Sequence, residues 1–211
     1  MQKTSFDTDL ISARDLWNDE MTVWKPLAHQ LPPDGSWDVW LLLGGRGSGK
    51  TLAGTQYCLD HLRQYGRKAR IGIGAPTIAD ARDVCAEGVT GLINLAPHEF
   101  KYNRSIGEAH HVNGGYVKFM GSEEPARWNG PQWSLLWADE LALWNEASWH
   151  QAQFGLRLGE HPRAICTTTP KNRDFVRRLS ELSSTATVIA TTYDNTHLSD
   201  VVRQRLREQY G

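Results

Sequence analysis

The stretch LLLGGRGSGKT, residues 41–51, constrains the fold more than any other part of the chain. Gly44, Gly49, Lys50 and Thr51 fit the pattern G-x-x-x-x-G-K-[ST]. A loop of this kind turns backbone N–H groups toward phosphate oxygens, with dihedrals and close approaches that a Cβ obstructs, which accounts for Gly45, Gly47 and Gly49 around Arg46 and Ser48. The helix that follows aims its positive end at the same anion. Lys50 supplies a mobile cation to the outer phosphates, and the Thr51 hydroxyl suits Mg²⁺. The context agrees: VWLLL before the loop reads as a buried strand, and TLAGTQYCLDHL after it spaces Leu52, Leu59 and Leu62 for one helix face.

A phosphate loop alone only binds. The stretch SLLWADE supplies a second element, an apolar strand over residues 135–138 that ends in Asp139 and Glu140. Ligands of open α/β sheets sit at the carboxyl ends of strands. Asp139 is placed to hold Mg²⁺, and Glu140, one residue on and so on the opposite side of an extended strand, is free to polarise a water. A third element is CTTTP at 166–170. Thr167, Thr168 and Thr169 at a strand end suit hydrogen bonding to a water or a γ-phosphate, although threonine is also an ordinary strand residue.

The rest of the chain reads as strands alternating with helices. Strands are predicted at 38–43, 69–75, 133–140, 163–169 and 186–193, and helices at 51–62, 77–96, 146–157, 172–182 and 198–210. EAHHVNGGYVKFM reads as a hairpin turning at Asn113-Gly114, with Val117 and Phe119 on one face. Residues 12–30 carry Leu16, Met21, Trp24 and Leu27 at helical spacing, and QLPPDGSW breaks the run. The alternation predicts a mostly parallel α/β sheet sandwiched by helices, with the hairpin as an antiparallel excursion.

Composition adds bounds. In 211 residues, 23 Lys and Arg balance 24 Asp and Glu, so net charge does not mark a nucleic-acid binder. Charge is uneven, however. Residues 1–20 hold five acids against Lys3 and Arg14, and residues 161–178 hold Arg163, Lys171, Arg173, Arg177 and Arg178 against Asp174. The basic run is either a solvated face or a patch for a phosphate backbone. The three cysteines, Cys58, Cys85 and Cys166, have neither metal nor redox spacing, which fits a reducing cytoplasm. No stretch has signal-peptide or membrane-spanning character.

With the three elements in this order, the chain resembles the N-terminal ATPase domain of the large terminase subunit of tailed bacteriophages. The resemblance is carried by HQLPPDGSWDVWLLLGGRGSGKTLAG, GSEEPARWNGPQWSLLWADELA, CTTTP and TTYDNTHLSDVVRQRLREQYG, from about residue 29 onward. It implies a P-loop NTPase of the additional-strand, catalytic-glutamate class. The implied activity is Mg²⁺-dependent ATP hydrolysis, with Lys50 and Glu140 central, driving double-stranded DNA into a procapsid. Implied partners are the portal protein, the small terminase subunit and further copies of the chain in a ring, in the cytoplasm of the infected host. The resemblance also places Gln30, with Trp37 near it, beside the adenine, and makes Thr167, Thr168 and Thr169 the motif coupling hydrolysis to movement. Family members often carry an arginine immediately before the GPQ-like stretch; here Asn129 stands there and Arg127 two residues earlier. Arg127 is the expected trans-acting arginine, and Arg46 a contact in cis. The expected organisation is an N-terminal segment at 1–33, the ATPase core at 34–193 and a C-terminal helix at 194–211 leading toward a nuclease domain that this chain lacks. A helicase would favour a second copy of the core, and a nucleotide kinase needs an acceptor site in place of a water-activating acid.

Overall fold

The computed structural model describes residues 24–210. Its centre is one eight-stranded sheet in the order β3-β4-β5-β2-β6-β7-β1-β8. The elements run β1 (Val39–Gly44), α1 (Lys50–Tyr65), β2 (Arg70–Ala75) and the short helix α2 (Ile78–Asp80), which continues into a π-helical stretch, Ala81–Ala86. There follow α3 (Leu92–Leu95), β3 (Phe100–Asn103), β4 (Glu108–His111) and β5 (Tyr116–Gly121). The chain then runs through β6 (Leu135–Asp139), α4 (Glu146–Gly155), β7 (Arg163–Thr168), α5 (Asp174–Ser180), β8 (Thr185–Ala190) and α6 (Asp200–Tyr210).

The pairings β5-β2-β6-β7-β1-β8 are all parallel, and β3, β4 and β5 pair antiparallel. The strand carrying the glycine loop, β1, is therefore not next to the acid-bearing β6. An additional strand, β7, lies between them, registering Leu42 with Thr167 and Asp139 with the same Thr167. This arrangement is that of an additional-strand P-loop fold, as the resemblance implies.

Alternation along the strands divides the core into two layers. Trp40, Leu42, Ile71, Ile73, Leu135, Trp137 and Ile165 face α1 and the helices after β2. Val39, Leu41, Leu136, Ala138, Ala164 and Cys166 face α4, α5 and a wall of tryptophans. That wall explains the glycines of β2. A Cβ at Gly74 would come within 2.3 Å of Trp144 and 2.7 Å of Trp128, and one at Gly72 within 3.0 Å of Trp133. The indoles lie directly on the strand backbone.

Two expectations need correction. The helix predicted over 12–30 does not extend through Trp24 and Leu27: residues 24–27 are not helical, and only Ala28–Gln30 form a 3₁₀ turn. Pro26 is the reason, because it biases the residue before it away from helical dihedrals. The remainder of that segment, with Leu16 and Met21, lies outside the described residues. The hairpin at Asn113-Gly114 forms, but β4 pairs on its other side with β3, a four-residue strand that the sequence pattern does not reveal. Its half-buried alternation, FKYN, is too short to stand out between a proline turn and an Asn-Arg-Ser turn.

The indole wall sets a direct test. Gly74→Ala should destabilise the chain by about 2–3 kcal/mol, because two rigid buried rings have no room to retreat. The decrease in urea midpoint at unchanged slope measures it, and a shift within error would show that the indoles yield.

Candidate functional site: a phosphate loop facing two carboxylates

The loop between β1 and α1 is shaped by its glycines. Gly49 caps the helix in the left-handed region at φ 86°, which a side chain resists. A Cβ at Gly44 would sit 2.4 Å from Ser48 Oγ and 2.8 Å from Lys50 Cγ, so the cradle exists only without it. Lys50, the first residue of α1, is 7% exposed and donates from Nζ to the carbonyls of Gly44 at 2.9 Å and Gly45 at 3.1 Å. Burial lowers its pKa, opposed by the charges of Glu140 and Asp139. Thr51 follows on the same turn, half-buried. Ser48 Oγ is buried and has no hydrogen-bond partner among the described residues.

Asp139 ends β6 and is 5% exposed. Desolvation raises its pKa to about 6; Thr167 Oγ1, donating at 2.6 Å, opposes the rise, Glu140 adds to it, and Lys50 and the Cys85 thiol oppose it. Its own carbonyl accepts from Trp144 Nε1 at 2.9 Å.

Glu140 departs from the expectation of a carboxylate on the other side of the strand. Its φ is 48°, making it the only non-glycine residue with positive φ among the described residues. The strand has ended, the alternation no longer applies, and the side chain lies 3.9 Å from Lys50 Nζ through Oε1. Such a conformation costs of order 1 kcal/mol and marks a place where the surroundings impose it. Here the surroundings are the residue just past β7: Thr169 donates to Glu140 through its N–H at 3.1 Å and its Oγ1 at 3.2 Å. The hydroxyl of Thr168 accepts from Ala142 N at 3.1 Å, bracing the turn that follows. The three threonines thus address Asp139, the following turn and Glu140 in succession.

Gln30 is 2% exposed and lies against the loop, with Nε2 3.2 Å from Gly49 O and Oε1 accepting from Leu27 N at 2.9 Å. Its neighbour His29, which the sequence pattern does not single out, reaches Ser48 O through Nε2 at 2.8 Å. Trp37 is 4% exposed in the core, edge-on to Trp40 and under the Arg163 guanidinium at 4.4 Å.

Arg46 is exposed at the tip of the loop. Arg127 is exposed in the 3₁₀ turn Pro125–Trp128, paired with Glu124 in its own chain. This turn follows the carboxyl end of β5, which is parallel to β2, so it belongs to the same edge of the sheet as the glycine loop but lies several strands away. Two arginines of the basic run are paired with acids and a third is held by a carbonyl. Arg177 pairs with Asp174 and Glu181, Arg178 with Glu146, and Arg173 donates to Trp144 O.

The arrangement offers a cationic phosphate cradle, a desolvated carboxylate for a hard cation, and a second, strained carboxylate within reach of both.

Comparison with known proteins gives this geometry its family. The model of the N-terminal part of the large terminase subunit, T4likevirus-type, matches residues 41–211. The large terminase from a thermophilic bacteriophage, solved in complex with ADP, has a TM-score of 0.70 at 19% identity, over 83% of this chain and 46% of that one. The large terminase ATPase domain of Thermus phage P74-26 has a TM-score of 0.65 at 18% identity, over 89% of this chain and 86% of that one. The chain therefore spans just under half of the first of these proteins, and at these identities the likeness is one of fold. No curated protein sequence matches significantly. Four-fifths of the chain nonetheless fits the family model, and the protein belongs to the N-terminal family of T4likevirus-type large terminase subunits.

Proposed function

We propose that this chain is the ATP-hydrolysing part of a motor that moves double-stranded viral DNA into a procapsid. The observation that carries the reading is the meeting of Lys50, Asp139 and Glu140 at one edge of the sheet, with Thr167 of β7 bonded to one acid and Thr169, just beyond it, to the other. The large terminase of the thermophilic bacteriophage has been solved with ADP and with ATP-γ-S, and the P74-26 fragment is an ATPase domain; family membership supports carrying that activity to this chain. On this reading Gly44, Gly45, Gly47, Ser48 and Gly49 wrap the phosphates and Gln30 lies on the adenine side. The Lys50 ammonium leaves the Gly44 and Gly45 carbonyls for the outer phosphate oxygens. Glu140 accepts a proton from the water that attacks the γ-phosphorus as the bond to the ADP oxygen breaks, giving ADP and phosphate.

Thr51 and Asp139 are the residues that would hold Mg²⁺. They fit a hard cation, since a desolvated carboxylate whose pKa is raised is stabilised by one, and the unpartnered Ser48 Oγ shows that the loop floor carries oxygen to spare. The ion supplies charge neutralisation of the β- and γ-phosphates.

The further partners in this reading are double-stranded DNA, the portal of the procapsid, a small terminase subunit and neighbouring copies in a ring, acting in the host cytoplasm. No described helix is long and apolar enough to cross a membrane. Arg127 is the arginine offered to a neighbour's γ-phosphate, a role its exposure supports and which requires it to leave Glu124. Thr167, Thr168 and Thr169 pass the loss of the phosphate from the acids to β7.

The division of labour between Lys50 and Glu140 can be tested directly. Lys50→Ala should raise the dissociation constant for ATP at least about 10-fold, whereas Glu140→Gln should bind ATP normally and lose hydrolysis by about 10²–10⁴-fold. Equal loss of ATP binding in both would refute the division of roles. In the assembled full-length motor, Arg127→Ala and Glu140→Gln subunits should each be nearly inactive alone, by ~10³-fold or more for a missing trans arginine, and should regain activity when mixed. A mixture that stays inactive moves the role to Arg46. A further test uses Asp139, whose folded-state pKa of about 6 lies above its ordinary 3.8. Between those values the folded chain holds a proton that the unfolded chain has lost, so this group's contribution to stability falls as pH rises through the window and stays unfavourable above it. Asp139→Asn should abolish hydrolysis yet stabilise the metal-free chain by about 1–3 kcal/mol at pH 8, the difference closing toward pH 4. Parallel melting-temperature profiles for the two proteins would contradict it.

A further inference from the structure

A phosphate loop has an outer side as well as an inner one. Its N–H groups serve the anion, and its carbonyls turned the other way need donors of their own. Here four successive carbonyls each meet a side chain from outside the loop. Thr192 Oγ1 donates to Arg46 O at 2.7 Å and Asn195 Nδ2 to Gly47 O at 2.7 Å. His29 Nε2 donates to Ser48 O at 2.8 Å and Gln30 Nε2 to Gly49 O at 3.2 Å. The donors come from opposite ends of the described chain, and the two segments are tied to each other, with His197 Nε2 donating to Lys25 O at 3.1 Å.

The carboxyl-terminal half of this bracket is built for the purpose. Thr192 opens a 3₁₀ turn, Thr192–Asp194, which Asp194 fixes by accepting from the N–H and hydroxyl of Thr191. Asn195 is 9% exposed, and its Oδ1 accepts from His197 N at 3.0 Å, which orients Nδ2 toward the loop. Loop and turn are in contact with nothing to spare: a Cβ at Gly45 would lie 2.6 Å from Thr192 Oγ1.

We propose that Thr192 and Asn195 are positioning residues for nucleotide binding, acting from behind the loop. A peptide group is planar, so a donor that holds the carbonyl of one residue also fixes the N–H of the next. Thr192 thereby orients the N–H of Gly47, and Asn195 that of Ser48, which in this structure donates to Gly45 O at 3.2 Å. Gly47 needs such restraint, because its φ of 75° belongs to a residue free to rotate either way. The bracket removes that freedom before the anion arrives, so less order has to be imposed on binding. The proposal rests on the nucleotide site described above.

The test is titration of the whole chain with Mg²⁺-ADP, joined to hydrogen exchange at the amides of Gly47 and Ser48. Thr192→Val keeps the shape and removes the donor; it should weaken ADP by about 3- to 10-fold, the worth of one hydrogen bond. Asn195→Asp keeps the acceptor for His197 and sets an oxygen against Gly47 O; it should weaken ADP more than about 10-fold. Thr192→Ser, which keeps the hydroxyl, should bind ADP within about 2-fold of the unmodified chain. Both damaging variants should exchange faster at Gly47 and Ser48, and both should raise KM for ATP while leaving kcat at saturation nearly as it was. If Asn195→Asp lowers thermal stability, Thr192→Val decides. If the unmodified chain takes up no ADP, the nucleotide site and the bracket fall together. If it binds ADP and Thr192→Val binds equally well with unchanged exchange, the bracket alone is overturned.

Discussion

The structure depends on holding one ammonium group out of water. Lys50 is 7% exposed, and a cation so placed costs several kcal/mol unless its surroundings supply acceptors. The acceptors come from three places in the chain: the Gly44 and Gly45 carbonyls at the end of β1, Glu140 beyond β6, and the field of Asp139. They converge because β1 and β6 run parallel through the middle of the sheet and end at the same edge. Strand order is in this sense an electrostatic requirement.

The additional strand completes the arrangement. Two carboxylates next to each other in sequence repel, and Glu140 contributes to the raised pKa of Asp139. Hydroxyl and amide donors on β7 and at the residue just after it hold them apart: Thr167 binds Asp139, and Thr169 binds Glu140. A run of threonines suits this place because each residue offers a β-branched body to the sheet and a donor at its edge. Two of the three are wholly buried, so their hydroxyls have no water to turn to, and the acids and the following turn are their partners.

The centre of this site is legible in the sequence because its chemistry is local. Glycine spacing, Lys50 and Thr51, the acids after an apolar strand and the threonines after the next one each reveal themselves within a few residues. The mostly parallel sheet follows from the alternation of strands and helices, whereas its strand order does not. What escapes depends on distant contacts. The direction of Glu140 turns on a single left-handed φ that no neighbouring glycine announces. His29, Thr192 and Asn195 are ordinary polar residues until the fold brings them to the loop. The indole of Trp37 packs in an aromatic cluster with Trp40 and Tyr57, contacts that no local pattern reveals. The basic run at 161–178 resembles a patch because its counter-charges, Glu146 and Glu181, lie outside it in sequence.

The tryptophan wall behind β2 links two turns that lie far apart in the sequence. Trp144 donates to the carbonyl of Asp139, and its ring lies 5.2 Å from that of Trp128. Trp128 in turn donates to Gly121 O and sits one residue after Arg127. Both indoles are pressed against Gly74, so neither can shift without displacing the other. The turn that follows the two carboxylates and the turn that bears the exposed Arg127 therefore share one mounting. A displacement at the turn after the two carboxylates is therefore carried, through rigid aromatic packing, to the exposed turn at the edge of the domain.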